Sequence, residues 1–290
     1  MKKLQIIPLA LIALILMSMK GDKEAYQLFN TKGGKAKYKA MLNDALDADI
    51  VFFGELHNNP ISHWLQYGLT KDIFEQKGSN LVLGAEMFES DNQLLLDEYL
   101  SGSIRDKNFE EEARLWKNYK TDYKPLVEFA RENKLNFVAT NIPRRYASVV
   151  YKKGFEGLDS LSGEAKKYIA PLPVQYDPDL KGYKDMLAGM EEMGGHANPN
   201  LPKAQAIKDA TMAYFILQNW KAGQTFIHFN GTYHSNNFEG IVWYLKQAKP
   251  DLNILTIASV EQDSVDELEE ANANLADYIL CIPKDMTKTH

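Results

Sequence analysis

The run "VFFGELHNNP", residues 51–60, is apolar until it ends in a glycine followed at once by a glutamate and, two residues later, a histidine. A second run, "FIHFNGTYHSNN" at 226–237, ends the same way, so Gly54-x-x-His57 has a counterpart in Gly231-x-x-His234. Unbroken apolar runs of this length read as strands buried on both faces. A glycine at the end of such a strand lets the backbone turn sharply and approach a ligand closely.

The same kind of run recurs along the chain as "DIVFFG", "NLVLGAE", "LNFVATN", "QTFIHFNG", "LNILTIAS" and "DYILCIP". Between them lie amphipathic helical patterns such as "ISHWLQYGLTKDIFEQKG" and "YKPLVEFARENK". That order predicts an α/β fold, a mostly parallel sheet flanked by helices on both faces. The stretch from about 105 to 125 and the long excursion from about 152 to 222 hold no convincing strand, and the second reads as a smaller helical insert capping the sheet. Residues 21–290 are expected to form one α/β domain around it. No internal repeat or low-complexity block is present, and "DELEEANANLAD" reads as an acidic solvated face.

With 290 residues and 45% apolar content the chain has the composition of a globular protein. Its net charge of −6 and the lack of Lys/Arg runs longer than two exclude a phosphate-tracking surface, so nucleic acid is not an expected partner. The first nineteen residues, "MKKLQIIPLALIALILMSM", place two lysines before an apolar run, which is how an export signal is built. Residues 1–20 are therefore read as a signal peptide or a retained N-terminal anchor, with the protein periplasmic or held at the membrane facing that compartment. The run is short for a bilayer span and is followed by Lys20, Asp22, Lys23 and Glu24. Cys281 is the sole cysteine, which excludes an intramolecular disulfide and a cysteine-based zinc site. Inside "YILCIP" it reads as a buried thiol.

In an open parallel sheet, ligands bind outside the carboxyl ends of the strands, and the ionisable residues of this chain collect there. Glu55 and His57 follow the first of these runs, Glu86 and Glu89 the second, Asn141 with Arg144 and Arg145 the third, and Gly231 to His234 the fourth. Plainer readings exist for each. His57 could start a helix by bonding a backbone group, Glu86 could form a structural salt bridge with Arg144, and His63, Trp64 and His228 read as packing or satisfied core residues.

Two carboxylates and two imidazoles converging with an arginine support two chemistries. A buried glutamate could act as general base on water, with Arg144 and a protonated histidine stabilising an oxyanion. Alternatively His57, His234 and Glu55 could hold a divalent metal with an open position. The spacing leaves both open, since neither His-x-His nor His-Glu-x-x-His is present.

The segments "VFFGELHNNPISHWLQYGLTKDI", "LGAEMFESDNQLLLDEYLSGSI", "WKNYKTDYKPLVEFARENKLNFVATNIPRR" and "AQAIKDATMA", in that order and with a closing Gly-x-x-His, resemble the ChaN family of iron-regulated, haem-binding proteins over roughly residues 45–245. That family is related to the Tiki-type proteases and the erythromycin esterases. The resemblance implies an α/β domain with a smaller helical subdomain, export, frequent lipid anchoring and a role in haem uptake or handling. It also implies that Glu55, His57, Glu86, Arg144 and His234 stand where the hydrolase relatives keep their active centre. Asn141, Pro143 and Arg144 in "NIPR", and Gln205, Lys208 and Asp209 in "AQAIKDATMA", match family patterns as supporting residues. The lipobox cysteine is missing, which departs from lipid anchoring.

Haem is accordingly the expected cofactor, held between the sheet domain and the insert, with a homodimer as a further expectation. In "YDPDLKGYKDMLAGMEEMGGHANP", Tyr176, Tyr183, Met186, Met190, Met193 and His196 combine axial-ligand chemistry with soft apolar packing. Met186, Met190 and Met193 share one helical face, and Tyr183 and His196 are the leading ligand candidates; plain helix packing is the alternative.

Overall fold

The computed structural model describes residues 23–192 and 198–290. The N-terminal export signal expected at 1–20, and Met193 and His196 of the haem-ligand set, lie outside the described residues. The strands are β1 (Gln27–Asn30), β2 (Ile50–Glu55), β3 (Leu81–Glu89), β4 (Phe137–Asn141), β5 (Thr225–Gly231), β6 (Ile254–Gln262) and β7 (Tyr278–Pro283). The helices are α1 (Tyr38–Asp47), α2 (Pro60–Lys77), α3 (Gln93–Leu100), α4 (Asp106–Glu112), α5 (Lys124–Glu132), α6 (Arg144–Lys153), α7 (Gly163–Lys166), α8 (Lys181–Glu192), α9 (Leu201–Asn219) and α10 (Ile241–Ala248).

The described residues form a seven-stranded sheet in the order β1-β7-β6-β2-β5-β3-β4. All neighbours are parallel except β1, which runs antiparallel on the β7 edge. Six of the strands coincide with the apolar runs of the sequence. β1 does not, because a four-residue edge strand with two buried positions is too short to show a periodicity.

The double burial of the central strands is visible residue by residue. Along β2, Val51 and Phe53 enter one core with Leu65, Leu69, Ile73, Leu83, Phe229 and Ile257. Ile50 and Phe52 enter the opposite core with Val82, Met212, Ile216, Phe226 and Leu245. Strand side chains alternate between faces, so an all-apolar run is what two covered faces require.

α9 supplies Met212, Ala213 and Ile216 to the second core. The last part of the expected 152–222 insert is therefore one of the helices lying on the sheet. Among the described residues the rest of that stretch is helical or irregular, with α7, α8 and a 3₁₀ turn at Phe155–Ser160. A separate small core of Ile142, Ala147, Val150, Leu158, Ile169, Ala204 and Ile207 ties it to α6 and α9.

The turn after β2 has a local cause. Asn59 caps α2, its side-chain oxygen accepting from Ile61 N at 3.0 Å and Ser62 N at 3.3 Å, and Pro60 occupies the first turn, where a missing N–H is not missed. Strand and helix therefore stop and start within four residues, leaving Glu55 and His57 on the carboxyl edge of the sheet.

Candidate site at the carboxyl edge of the sheet

β2 and β5 pair in register, with Gly54 opposite Asn230 and Glu55 opposite Gly231. The two Gly-x-x-His motifs are thus neighbours, offset by one residue. Gly231 is required by a close approach: a Cβ there would stand 2.8 Å from His57 Nε2 and 3.4 Å from Glu86 Oε2. Gly54 is required by backbone packing, since its Cβ would meet the Ile257 carbonyl at 2.8 Å and Thr232 Cα at 3.0 Å.

Glu55 is 2% exposed. Its Oε1 accepts from His57 Nδ1 at 2.9 Å and from the Tyr123 hydroxyl, and its Oε2 accepts from the Gln66 amide. Burial works to raise the carboxyl, but the His63 charge 3.7 Å away, the His57 bond and Tyr123 outweigh it and hold Glu55 below its ordinary value. Tyr123, buried against that carboxylate, is pushed well above the usual phenol range.

His57 is the half-exposed member of the group. With Nδ1 on Glu55, its Nε2 lies 4.0 Å from Glu86 Oε2, and its ring meets Trp116 edge-on at 4.6 Å. Burial lowers its basicity, while the Glu55 bond and the charges of Glu86 and Glu55 raise it further than His234 opposes, so the net shift is upward. The His57 carbonyl is anchored from behind by Asn118 Nδ2 at 2.6 Å and His63 Nε2 at 3.0 Å.

Glu86, on β3, accepts from the Gly231 backbone N–H at 2.7 Å and faces His234 Nε2 at 3.2 Å. Burial raises its carboxyl, but the His234 charge and hydrogen bond, then His57 and Lys208, lower it by more. His234 donates through Nδ1 to Asp209 on α9, and the Gln205 amide packs 3.0 Å from Nε2. Burial alone would keep this imidazole neutral, yet Glu86 and Asp209 lift it to about 10 and hold it protonated. Asp209 is in turn raised by burial, against the opposing pull of His234 and of the Tyr183 hydroxyl, which donates to it at 2.8 Å.

Of the sequence-derived candidates, Glu55, His57, Glu86, His234, Gln205 and Asp209 come together. Asn141 joins at the edge, donating to the Glu86 carbonyl at 2.9 Å, with its Oδ1 buried and without a partner among the described residues. Arg144 does not converge on Glu86. Its Nε donates to Glu89, and its side chain is 63% exposed.

The same contacts lend no support to the metal alternative. Among the described residues no group of three or more His, Cys, Asp or Glu side chains is arranged to hold a metal ion. The nitrogens of His234 are spent on Asp209 and Glu86, and the oxygens of Glu55 on Gln66, Tyr123 and His57.

Tyr183 is also redirected. It is 5% exposed, its hydroxyl donates to Asp209, and burial followed by the Asp209 charge pushes its phenol upward, so its hydroxyl is turned to the polar cluster. Tyr176 packs between Tyr183 and Phe155 at 5.7 and 5.6 Å. Met190, with Met186, lines a cavity of about 820 Å³ that also includes Leu56, Leu201, Tyr233 and Val260.

His63, which the sequence reads as packing, and Gln66, Asn118 and Tyr123, which it does not single out, belong to the cluster. His63 is a bonded member and not simple packing, with Nδ1 2.9 Å from Gln66 Oε1. The signal available in the sequence was the pair of polar residues three apart on the buried face of α2, a spacing that places both on one side of a helix. His228, by contrast, is a core histidine: it contacts Thr140 at 2.7 Å and Asn230 at 3.1 Å, and burial lowers it to about 4.

An open, mostly parallel sheet with a buried carboxylate and imidazole cluster at its strand ends, beside a cavity, defines the class: α/β proteins whose site is built on the carboxyl edge. Residues 41–245 match the family model described as haem-binding uptake, Tiki superfamily, ChaN, and the chain belongs to that family. Among solved structures, it is similar to ChaN of Campylobacter jejuni, reported with cofacial heme binding, at 19% identity and a TM-score of 0.66, covering 88% of this chain and 96% of that one. It is also similar to a mutant of the erythromycin esterase EreC in its open conformation, at 11% identity and a TM-score of 0.51, covering 88% and 97%. At these identities the likeness is one of fold. A comparison with curated protein sequences returns no match.

Proposed function

We propose that this chain binds haem in the cavity between α8 and the carboxyl ends of β2 and β6. The observation that carries the reading is the cavity itself. Its volume of about 820 Å³, its apolar lining by Leu56, Met186, Met190, Leu201 and Val260, and polar groups such as Lys181 and Asn237 on the same wall suit a large flat ligand with a polar edge. At its wall Tyr233 is 79% exposed, a phenol free to meet iron where Tyr183 is not. Haem bound there would supply an iron centre able to take a tyrosine oxygen as axial ligand. Tyr233 thus replaces Tyr183 as the leading ligand in this reading, with Met186 and Met190 as packing surface.

Haemin titration of the chain from Gly21, followed at the Soret band against a protein-free blank, tests this. Saturation near one or two haems per chain is expected, and a trace identical to free haemin refutes it. Light scattering during the same titration tests the homodimer. Export rests on residues 1–19 and is checked by cell fractionation. No helix among the described residues is long and apolar enough to cross a membrane.

A hydrolytic role is the second reading, favoured by one geometry. Glu55 orients His57 through Nδ1 at 2.9 Å, leaving Nε2, 4.0 Å from Glu86 Oε2, to take a proton from water. Glu55→Gln in an ester and amide hydrolysis screen tests it, since loss of the orienting carboxylate should abolish any turnover while leaving haem affinity unchanged. An unaltered rate in that variant would rule out His57 as the base.

A further inference from the structure

Beside the polar cluster, the carboxyl ends of β3 and β4 carry a second group of charges, of which the hydrolytic reading of the sequence used Arg144 alone. Arg114 donates through Nε to Glu89 Oε2 at 2.8 Å and through Nη2 to Asp91. Arg144 donates through Nε to Glu89 Oε1, and Arg145 pairs with Asp91 at 2.6 Å while its guanidinium lies 4.4 Å over the Tyr146 ring. Three guanidiniums therefore share two carboxylates.

The layering is specific. The carboxylates are sunk, with side chains 4% and 12% exposed, whereas the arginine side chains are 39%, 63% and 48% exposed for Arg114, Arg144 and Arg145. The acids hold the guanidiniums from beneath and leave them facing outward. Among the described residues the terminal nitrogens of Arg144 have no acceptor, so the fork that matches carboxylate or phosphate geometry is open.

Arg144 and Arg145 also open α6, a ten-residue helix with no acidic residue in its first turn and no side-chain cap. The positive end of the helix dipole sits there, so two arginines at that position raise a local potential that an anion would relieve. In a chain of net charge −6 such a patch is not a general property of the surface.

We propose that Arg114, Arg144 and Arg145 form an oxyanion-binding subsite for the carboxylate or phosphate group of a small ligand. Its place relative to the polar cluster follows from the backbone. Glu89 is three residues beyond Glu86 on β3, and the irregular register between Ala85 and Glu89 brings it closer than a regular strand would. Arg114 is two residues before Trp116, whose ring packs on His57. A ligand anchored here by its anionic group extends toward the exposed face of His57. The subsite stands on its own geometry and does not depend on the haem reading.

The test is calorimetric titration of the full chain, at low ionic strength with chloride as counter-ion, with inorganic phosphate and, separately, succinate. Saturable binding of at least one probe is expected, weakened at least tenfold in Arg144→Gln/Arg145→Gln. The charge-matched control Lys152→Gln/Lys153→Gln, at the other end of α6, should bind as wild type does. Tighter phosphate identifies a phosphate site and tighter succinate a carboxylate site. Linear, unsaturable heats with both probes, or equal weakening in both double variants, would overturn the proposal. Should the double variant lose its circular dichroism spectrum, Arg144→Lys keeps the charge without the fork. A loss of at least threefold is expected there, and unchanged affinity would also overturn the proposal.

Discussion

Nε2 of His234 stands 3.2 Å from Oε1 of Glu86, joining the end of β5 to the neighbouring strand β3 through a buried ion pair. Asp209 holds the other nitrogen of the ring, so one imidazolium serves two sunk carboxylates. Removing one partner of such a group leaves an uncompensated charge, which is why its titration should be visible in stability.

His234 is raised from an ordinary 6.5 to about 10, so its stabilising contribution is complete below pH 6.5 and is lost as pH rises toward 10. Glu86 is lowered, so its contribution is present above its ordinary 4.5 and is lost as pH falls below it. Stability measured by thermal circular dichroism should therefore peak near pH 5–6.5. On the alkaline side it should decline with a limiting slope of about 1.4 kcal/mol per pH unit for one proton. His234→Asn should reduce that limb to the part contributed by His57, which is also raised; an unchanged alkaline slope would assign it elsewhere.

Gly54→Ala and Gly231→Ala should separate scaffold from site. At Gly54 the added carbon meets the Ile257 carbonyl and the Thr232 backbone, which cannot swing away, and a loss of about 1–3 kcal/mol is expected. At Gly231 it meets the His57 ring, a half-exposed side chain that can turn. Denaturant midpoints should fall clearly for the first variant and little for the second, whose His57 resonances should shift instead. Equal losses would contradict this division.

Replacing Glu55 by Gln removes a charge that raises the His57 imidazole and turns its charge-assisted hydrogen bond into a weaker neutral one. Its midpoint, followed by proton NMR of the ring, should drop. An unchanged titration would mean that Glu86 alone sets the proton affinity of the ring.

Tyr233→Phe and Tyr183→Phe should behave oppositely toward haemin. The exposed phenol of Tyr233 is the one placed at the cavity, so its loss should shift the Soret band and weaken binding at least tenfold. Tyr183→Phe should leave the band in place and cost about 1 kcal/mol of stability through the lost bond to Asp209. A Soret shift confined to Tyr183→Phe would restore that residue as the ligand.

The sheet and the position of the site were legible in the sequence for a local reason. An apolar run such as "DIVFFG" can satisfy neither helix periodicity nor a solvated face, so it reports a doubly covered strand by itself, and the residues that end it lie on the rim by chain continuity. Glu55, His57, Glu86 and His234 were found this way.

What only the tertiary structure decided is which groups meet. Arg144 could be assigned to Glu86 on the sequence, because both sit at strand ends; the extra length of β3 and its irregular register bring Glu89 opposite Asn141 and give the arginine to Glu89 instead. Tyr183 and Tyr233 look alike as phenols near a motif, yet α9 presents Asp209 to one and leaves the other in the open. His63 entered the cluster only when α2 laid it against Glu55. Strand identity depends on neighbours along the chain, whereas ion pairing depends on sub-ångström register between elements tens or hundreds of residues apart, and that is set only when both cores close.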